Sequence, residues 1–418
     1  MKRWVYTAMV TALALSTAAP ALAFSFLDRA YGTPEVGLAP RSRAMGGTGA
    51  AMGTGAFSLI NNPATLILTQ GSRVQINAEG MRASENRFVP IFDTFDSFVD
   101  ENAIAVNDFG YGDFQGGVVA DEWGNGLRVS AGVFSRYDTR YDYQDERRTT
   151  DTSDEIVSNR FIETTGVLRT LTVGAAYDLD DNGSGVGVAL NYYFGTVDDR
   201  DALVPFAATT GGSVVKMERN LDGVSLTFGA TGRINDRLQI GAAIETAPQL
   251  NDDYTLWVNN EIATPDTLES GDLNLPLRFQ GGATYRPRNS LATTFAADVV
   301  YTPWSDLEDH LDSKQKLEDT WEVRFGLEHV FYSGVSGRLG FRYGESYAMK
   351  EADRATFTFG FGYALNALSI DLAGEVGKRT SRQEPLRPRD EQSNAVGAGR
   401  DRVEDTMLRG VIGVSYAF

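Results

Sequence analysis

Apolar and polar residues alternate with a period of two in fourteen stretches of this 418-residue chain. One stretch shows the pattern clearly, because Phe357, Phe359, Phe361 and Tyr363 alternate with threonine and glycine. A period of two predicts β-strands with one apolar and one polar face. The predicted strands cover residues 74–81, 113–121, 126–137, 168–179, 185–197, 222–233, 238–247, 274–286, 291–303, 321–332, 337–346, 353–365, 368–379 and 406–418.

The connections between these stretches alternate between short and long. The short ones have hairpin-turn compositions and cover residues 122–125, 180–184, 234–237, 287–290, 333–336 and 366–367. The long ones include residues 82–112, 138–167 and 380–405. Short periplasmic turns and long outer loops are typical of bacterial outer-membrane barrels. The sequence therefore predicts an all-β fold, a fourteen-stranded antiparallel transmembrane β-barrel. A soluble periplasmic all-β protein is the alternative.

The first residues predict export. Lys2 and Arg3 precede an apolar run at 4–19, and an Ala-Leu-Ala sequence ends at Ala23, which is typical of a signal peptide at 1–23. No later apolar run reaches the roughly 18 residues of a membrane-spanning helix. The chain has no cysteine, so neither a lipid-modified cysteine nor a disulfide is expected. We expect the barrel, residues 74–418, in the bacterial outer membrane.

Acidic residues outnumber basic ones, 56 to 38, and the formal net charge is −18. Such a chain is a poor partner for nucleic acid. One predicted outer loop, at 378–402, is instead rich in arginine. It is a candidate contact for lipopolysaccharide phosphates, besides outer-membrane lipid, although a flexible solvated loop is the simpler explanation. The long loops are also candidate sites for protein partners.

Residues 24–73 precede the first strand and are too many for a simple tail. The run 44–54 is built from small and flexible residues, among them Gly46, Gly47 and Gly49, which permit close backbone packing. A second group follows, in which proline fixes a bend and asparagine can bond to nearby backbone: Asn61, Asn62, Pro63 and Ala64. We therefore expect this segment to form a plug in the barrel lumen.

The same residues carry a resemblance to a known family. Arg-Ala-Met-Gly-Gly-Thr-Gly-Ala-Ala at 43–51 and Asn-Pro-Ala at 62–64 resemble the start of the FadL-type long-chain fatty acid transporters (FadL/TodX-like), and of the related PorV-type barrels. The stretch 297–306 is similar to a strand end in that family. The resemblance implies fourteen strands, an N-terminal hatch, an apolar ligand pocket and a sideways exit through the barrel wall. Thr65 follows where the family usually has glycine, so the hatch backbone there is expected to differ.

Charged residues also fall on the face predicted to line the lumen. They include Arg128, Arg278, Arg324 and Arg342, with acids such as Glu375. Charges of both signs at such positions normally pair and fill a polar interior. The alternative is that an arginine without an acidic partner binds a carboxylate ligand. Gly132 is the position at which a kink in the third strand is most easily accommodated.

Catalytic chemistry has little support. The two histidines, His310 and His329, have no spacing that links them to a serine, and no cysteine nucleophile exists. Asp178 begins a sequence like a calcium loop, but position twelve is Ala189 where glutamate is needed. We therefore expect no enzyme activity, no metal and no cofactor.

The preferred function is passive transport of hydrophobic compounds across the outer membrane, with long-chain fatty acids as the cargo that the resemblance implies. Two other functions stay open. A PorV-like barrel would serve as a scaffold or adaptor for secretion or conjugation partners. A general porin would have an open lumen, which a plug of about fifty residues argues against.

Overall fold

The computed structural model describes residues 25–93, 95, 97–120, 126–148, 156–180, 182–206, 212–263, 270–288, 292–312, 316–386 and 400–418. The predicted signal peptide, the turn at 122–125, part of the turn at 287–290 and the centre of the arginine-rich loop lie outside these ranges. Across the described ranges, no helix is both long and apolar enough to span a bilayer.

The structure is built almost entirely from strands. Two short helices, α1 (Pro40–Ala44) and α2 (Ser58–Asn61), lie in the N-terminal segment with 3-10 turns at Phe26–Asp28, Gly55–Phe57 and Pro63–Leu68; a fourth 3-10 turn is Trp304–Asp306. The strands are β1 (Thr33–Pro34), β2 (Arg73–Phe92), β3 (Phe98–Val119), β4 (Leu127–Asp138), β5 (Tyr141–Arg148), β6 (Ile156–Thr165), β7 (Val167–Asp178), β8 (Gly185–Pro205), β9 (Ser213–Asn235), β10 (Leu238–Glu245), β11 (Gln249–Val258), β12 (Glu261–Ile262), β13 (Ser270–Asn274), β14 (Arg278–Tyr285), β15 (Ala292–Thr302), β16 (Glu308–Asp309), β17 (Thr320–Val330), β18 (Val335–Gly344), β19 (Arg354–Leu365), β20 (Leu368–Gln383) and β21 (Asp401–Ala417).

Fourteen of these strands close into an antiparallel barrel. The ring runs β2, β3, β4, β7, β8, β9, β10, β14, β15, β17, β18, β19, β20 and β21. Closure occurs where β21 pairs with β2, for example Ala417 with Arg73. The predicted fold class and strand number are confirmed. Closure pairs the backbone on both edges of nearly every strand, which a sheet in lipid requires.

The polarity of the barrel is inverted relative to a water-soluble protein. On β19, Phe357 is 63% exposed and Phe361 is also exposed, whereas Thr356, pointing inward, is 1% exposed. An apolar outer surface around a polar interior is typical of barrels that contact lipid. The short turns that the structure describes in full, at 234–237, 333–336 and 366–367, lie at one end of the barrel and define its periplasmic end by the same rule.

Several predicted long loops are largely strand. β2 and β3 extend to Phe92 and from Phe98, so the predicted loop 82–112 is a tall hairpin. The predicted loop 138–167 contains β5 and β6, and β8 and β9 are also longer than predicted. The reason is physical. Above the membrane both faces of a strand meet water or other polar strands, so the apolar alternation used for the prediction disappears while the hydrogen-bonded ladder continues.

These extensions form a second feature at the extracellular end. The strands β5, β6, β8, β9, β11, β13 and β16 are hydrogen-bonded in that order. β8 and β9 belong to both this outer sheet and the barrel, so the sheet is a rigid continuation of one side of the wall.

The N-terminal segment, residues 25–72, lies inside the barrel. Its α1 contacts β18, β19, β20 and β21, and its last 3-10 turn contacts β4, β7, β8 and β9 on the other side of the lumen. The segment can lie this close to the wall because glycines of the wall carry no side chain at the points of contact. A methyl group on Gly340 of β18 would overlap the backbone of Gly46, and one on Gly241 of β10 would overlap the carbonyl of Ala50.

Candidate functional site

The glycine-rich part of the N-terminal segment is bound to the wall through its backbone. The carboxylate of Asp298 on β15 accepts hydrogen bonds from the N–H groups of Gly49 and Ala50, at 2.7 and 2.9 Å. The N–H of Gly46 donates to Thr358 Oγ1 at 2.9 Å, and the carbonyl of Gly47 accepts from Arg324 Nη1 at 3.0 Å. The structure thus places all three predicted glycines against the barrel wall.

Gly46 is the glycine whose conformation matters most. It has φ of 72°, where only glycine is unstrained. A Cβ at this position would also lie 2.6 Å from the carbonyl oxygens of Phe325 and Phe341. The narrow separation between the segment and β17 and β18 therefore requires glycine.

The predicted bend at Asn61 to Ala64 is held by one side chain. Asn62 Nδ2 donates to the carbonyl oxygens of Ala50, at 2.6 Å, and Ala230 on β9, at 3.0 Å. Its Oδ1 accepts from the Ala64 N–H and caps the 3-10 turn that Pro63 begins. Asn61 is buried beside Gly49. Asn62 therefore joins the two predicted motifs to each other and to the wall.

A buried cluster of charges fixes the other side of the segment. Arg43 lies 2.9 Å from Glu375, 3.1 Å from Glu35 and 3.2 Å from Glu79. Arg409 completes the cluster at 2.6 Å from Glu35. Two of these residues, Arg43 and Glu35, come from the segment and the others from the wall. Such a network positions the segment, because breaking a buried pair leaves a charge without a partner.

Glu35 is the acid of this cluster that belongs to the segment itself. Burial alone would raise the pKa of its carboxyl, but the guanidinium groups of Arg409 and Arg43 outweigh burial and lower the pKa to about 2. Glu35 is therefore ionised throughout the physiological range, and its ion pairs persist there.

Two of the predicted carboxylate-binding arginines have protein partners. Arg324 pairs with Glu322. Arg342 lies 3.3 Å from Glu375 and 3.8 Å from Glu322. For these two residues the structure agrees with the interpretation of paired luminal charges. Arg128 lies elsewhere, near the periplasmic end, where it lines a separate cavity of about 420 Å³.

Arg278, at the first position of β14, differs from the other arginines. Among the residues that the structure describes it has no carboxylate within ion-pair distance, and its Nη2 donates to Gln280 Oε1 at 3.2 Å. Arg136 of β4, which the prediction did not include, lies near it and pairs with Glu245 at 2.5 Å. A guanidinium group without an acidic partner is suited to an anionic ligand.

Arg278 lines a cavity between the N-terminal segment and the extracellular end. Its volume is about 130 Å³. Eight arginines line it: Arg43, Arg136, Arg278, Arg324, Arg342, Arg354, Arg379 and Arg409. Four acids, Asp28, Glu35, Glu322 and Glu345, lie in the same wall. The cavity is thus lined by charged side chains of both signs beside apolar ones, whereas the resemblance implied an apolar pocket.

Aromatic side chains form one side of this cavity. Trp304 and Tyr347 stack with ring centroids 4.1 Å apart, and Tyr137 meets Trp304 edge to face at 6.2 Å. Tyr347 donates to the carbonyl oxygens of Asp28 and Gly32, at 3.2 and 3.1 Å. These rings belong to a larger apolar cluster at the extracellular end. An amphipathic ligand would meet guanidinium groups on one side and rings on the other.

The barrel wall is interrupted next to the cavity. β3 and β4 pair only between Gly116–Val119 and Ser130–Val133. Gly132, the predicted kink position, pairs with Gly117 in that short ladder. Beyond Val133, β4 is buried on both faces up to Asp138. The upper part of β4 therefore lies away from the lipid-facing wall and borders both the interruption and the cavity.

Sequence reasoning missed several residues of the site. Glu35 and Asp28 lie in the N-terminal segment, where no periodic pattern indicates direction. Arg136 falls on the inward parity of β4 and could have been included on the same grounds as Arg128. Arg354 and Arg379 lie at the ends of predicted strands, and Arg379 was counted with the arginine-rich outer loop, so neither was included among the luminal arginines.

The comparison with protein families identifies the chain. A family model described as BamG matches residues 119–386, which is more than half of the chain. The chain belongs to the BamG family. The match begins at the end of β3 and covers the wall as far as the end of β20. No curated protein matches the chain.

Solved structures share the fold of this BamG-family chain. A Pseudomonas aeruginosa FadL homologue has a TM-score of 0.63 and 16% identity, with 93% of this chain and 99% of that chain covered. The Pseudomonas putida toluene transporter TodX has a TM-score of 0.62 and 15% identity, with 94% of this chain and 99% of that chain covered. The Ralstonia pickettii toluene transporter TbuX has a TM-score of 0.59 and 18% identity, with 94% of this chain and 100% of that chain covered. At these identities the likeness shows the fold, which is that of FadL-like outer-membrane barrels.

Proposed function

We propose that this protein carries hydrophobic compounds across the outer membrane by passive diffusion, with the N-terminal segment as a hatch. The proposal rests on one observation above all, the interrupted wall between β3 and β4 beside a luminal cavity. A hatch that fills the lumen excludes free diffusion of water-soluble solutes. A gap in the wall offers apolar molecules a route between lumen and lipid.

Long-chain fatty acids are the cargo that we favour. Arg278 would bind the carboxylate, since its guanidinium group has no acidic partner among the described residues. Trp304 and Tyr137 would contact the first carbons of the acyl chain. Two similar structures are described as toluene transporters, so neutral aromatic compounds are the nearest competing cargo.

The test begins with barrel purified from cells in mild detergent. Bound small molecules are extracted and identified by mass spectrometry, with an unrelated barrel prepared in parallel. Enrichment of fatty acids that disappears in Arg278→Met, but not in Arg82→Met on the outer surface, supports the proposal. An equal fatty-acid profile in the wild type, both variants and the unrelated barrel contradicts it. Single-channel recording on the same material separates a general porin, which would show large steady steps.

A scaffold function is the second candidate, and the cavity itself favours it. A volume of about 130 Å³ is below the roughly 300–1,000 Å³ of typical ligand pockets. The outer sheet from β5 to β16 offers an extended surface to protein partners. Affinity purification from intact cells discriminates, because a scaffold retains partner proteins at fixed stoichiometry and a transporter does not.

A further inference from the structure

One edge of β4 is shared between two partners. The opposite edge pairs with β7 from Leu127 to Asp138, with a bulge at Arg136. On the shared edge, β3 pairs with β4 for four residues, ending at Gly116 opposite Val133. The wall ladder stops there although both strands continue.

Further along, the same edge is occupied from inside the lumen. Thr33 of β1 pairs with Asp138 and Pro34 with Tyr137. The N–H of Glu35 then donates to the carbonyl of Arg136 at 2.9 Å. A stretch of the N-terminal segment therefore adds to β4 as a strand, at the position where β3 would otherwise lie.

Side chains replace the ladder at the point of separation. Asp113 of β3 accepts from Ser135 Oγ and from Arg169 Nη2, each at 2.5 Å. Arg169, on the neighbouring strand β7, also donates to the carbonyl of Phe114 at 3.2 Å. This group of three side chains marks the lower end of the interruption. Within the described chain, β3 above it is paired in a ladder on its β2 edge alone.

The unpaired edge of β3 can accept β4 again in the register of the existing ladder, with the bulge that β4 forms at Arg136 against β7 lying inside the re-paired stretch. Continuing the existing ladder beyond Gly116 and Val133 places Asp113 opposite Arg136 and Tyr111 opposite Asp138. The first of these pairs joins opposite charges, which favours cross-strand pairing. Backbone groups at membrane depth are costly when unpaired, so the continued ladder has a physical advantage on the β3 side. It requires β1 to leave β4.

We propose that β1 and β3 compete for this edge of β4, so that the docked N-terminal segment holds the wall open and its departure lets β3 and β4 zip together. In one state the segment blocks the lumen and the wall between β3 and β4 is open. In the other state the segment has left the lumen and the wall is closed. The exchange is a property of the chain alone. Its use as a switch between sideways and axial passage rests on the transport function proposed above.

The absence of native cysteine makes the exchange measurable by disulfide trapping. Thr33→Cys with Asp138→Cys reports the β1 pairing, and Tyr111→Cys with Asp138→Cys reports the β3 pairing. We expect rapid cross-linking of the first pair and slower but complete cross-linking of the second in folded barrel. Tyr111→Cys with Leu127→Cys, at the far end of β4, is the matched control and should not cross-link. If the Asp138 variants fail to fold, Gly112→Cys with Tyr137→Cys reports the same register.

A proline tests the competition directly. Glu35→Pro removes the N–H that donates to Arg136, whereas Glu35→Ala removes only the carboxylate. Loss of one backbone hydrogen bond should speed the β3 cross-link about tenfold in the proline variant relative to the alanine variant. A β3 cross-link no faster than the control pair, or equal rates in the two Glu35 variants, overturns the proposal. Neither outcome depends on whether the protein transports anything.

Discussion

Nη1 of Arg43 and Oε2 of Glu375 lie 2.9 Å apart, although 332 positions separate them in the chain. Both side chains are buried, Arg43 at 1% and Glu375 at 0% exposure. Arg43 precedes the glycine-rich run, and Glu375 points inward from β20. The contact therefore joins the N-terminal segment to β20, near the C-terminal end of the barrel sequence, and helps to hold the segment in the lumen.

Replacing Arg43 by alanine should release this side of the segment while leaving the barrel closed. Glu35, Glu79 and Glu375 would lose a shared buried cation, a change that typically costs about 3–5 kcal/mol. We expect residues near α1 to exchange amide hydrogens much faster, with unchanged heat-modifiable mobility of the barrel on gels. Arg82→Ala is the matched control, because Arg82 pairs with Asp108 on the exterior and is 68% exposed. Equal exchange in both variants would refute the role of the cluster.

The barrel could be predicted from the sequence because successive residues of a membrane strand face lipid and lumen in turn, and each must have the matching polarity. Phe357 and Thr356 cannot exchange faces, since one meets hydrocarbon and the other the polar lumen. Above the membrane this constraint ends. For that reason β5, β6 and the upper parts of β2 and β3 were predicted as loops although they are paired strands.

The site was predictable only in its components. The glycines were identified because they permit close backbone packing, and Asn62 because it can bond to nearby backbone beside a proline bend. Their partners could not be identified, since Asp298 and Ala230 contact them across distances in sequence that no local pattern encodes. The presence of inward charges of both signs was predictable, but not which arginine lacks an acid. That distinction, which selects Arg278, depends on distances in the folded barrel.

Gly340→Ala should prevent close docking of the segment. The added methyl group would overlap the backbone of Gly46, and overpacking of this kind typically costs about 1–3 kcal/mol. We expect increased proteolytic cleavage in the glycine-rich run. Gly410→Ala is the control, because a Cβ there meets nothing within 4 Å. Cleavage at the wild-type rate in the Gly340 variant would show that the wall adapts to the methyl group.

Asn62→Ala combined with Pro63→Ala should alter uptake of hydrophobic compounds in correctly assembled barrel. The change removes two hydrogen bonds from Nδ2, to Ala50 and Ala230, and the cap of the 3-10 turn. Each buried bond contributes roughly 1 kcal/mol, so the segment should be loosened without unfolding the wall. Uptake of a labelled fatty acid by cells is the measurement, with surface-exposed barrel quantified in parallel. Unchanged uptake at equal barrel levels would remove the bend from the proposed hatch.

The contribution of Glu35 to docking of the segment should be lost only in acid, because Glu35 has a lowered pKa. Its pKa is about 2 in the folded protein, against about 4.3 for an unperturbed glutamate. A group with a depressed folded-state pKa stabilises the docked state fully above the ordinary value, and this stabilisation is lost as the pH falls through the folded value. The difference in protection from amide exchange between wild type and Glu35→Gln, corrected for the intrinsic rate, should be constant from about pH 5 to 8 and fall below about pH 4. Glu35→Gln should lower the protection of the segment above about pH 5 and reduce the loss of protection in acid. An equal loss of protection in acid in Glu35→Gln would assign the pH dependence to another carboxyl group.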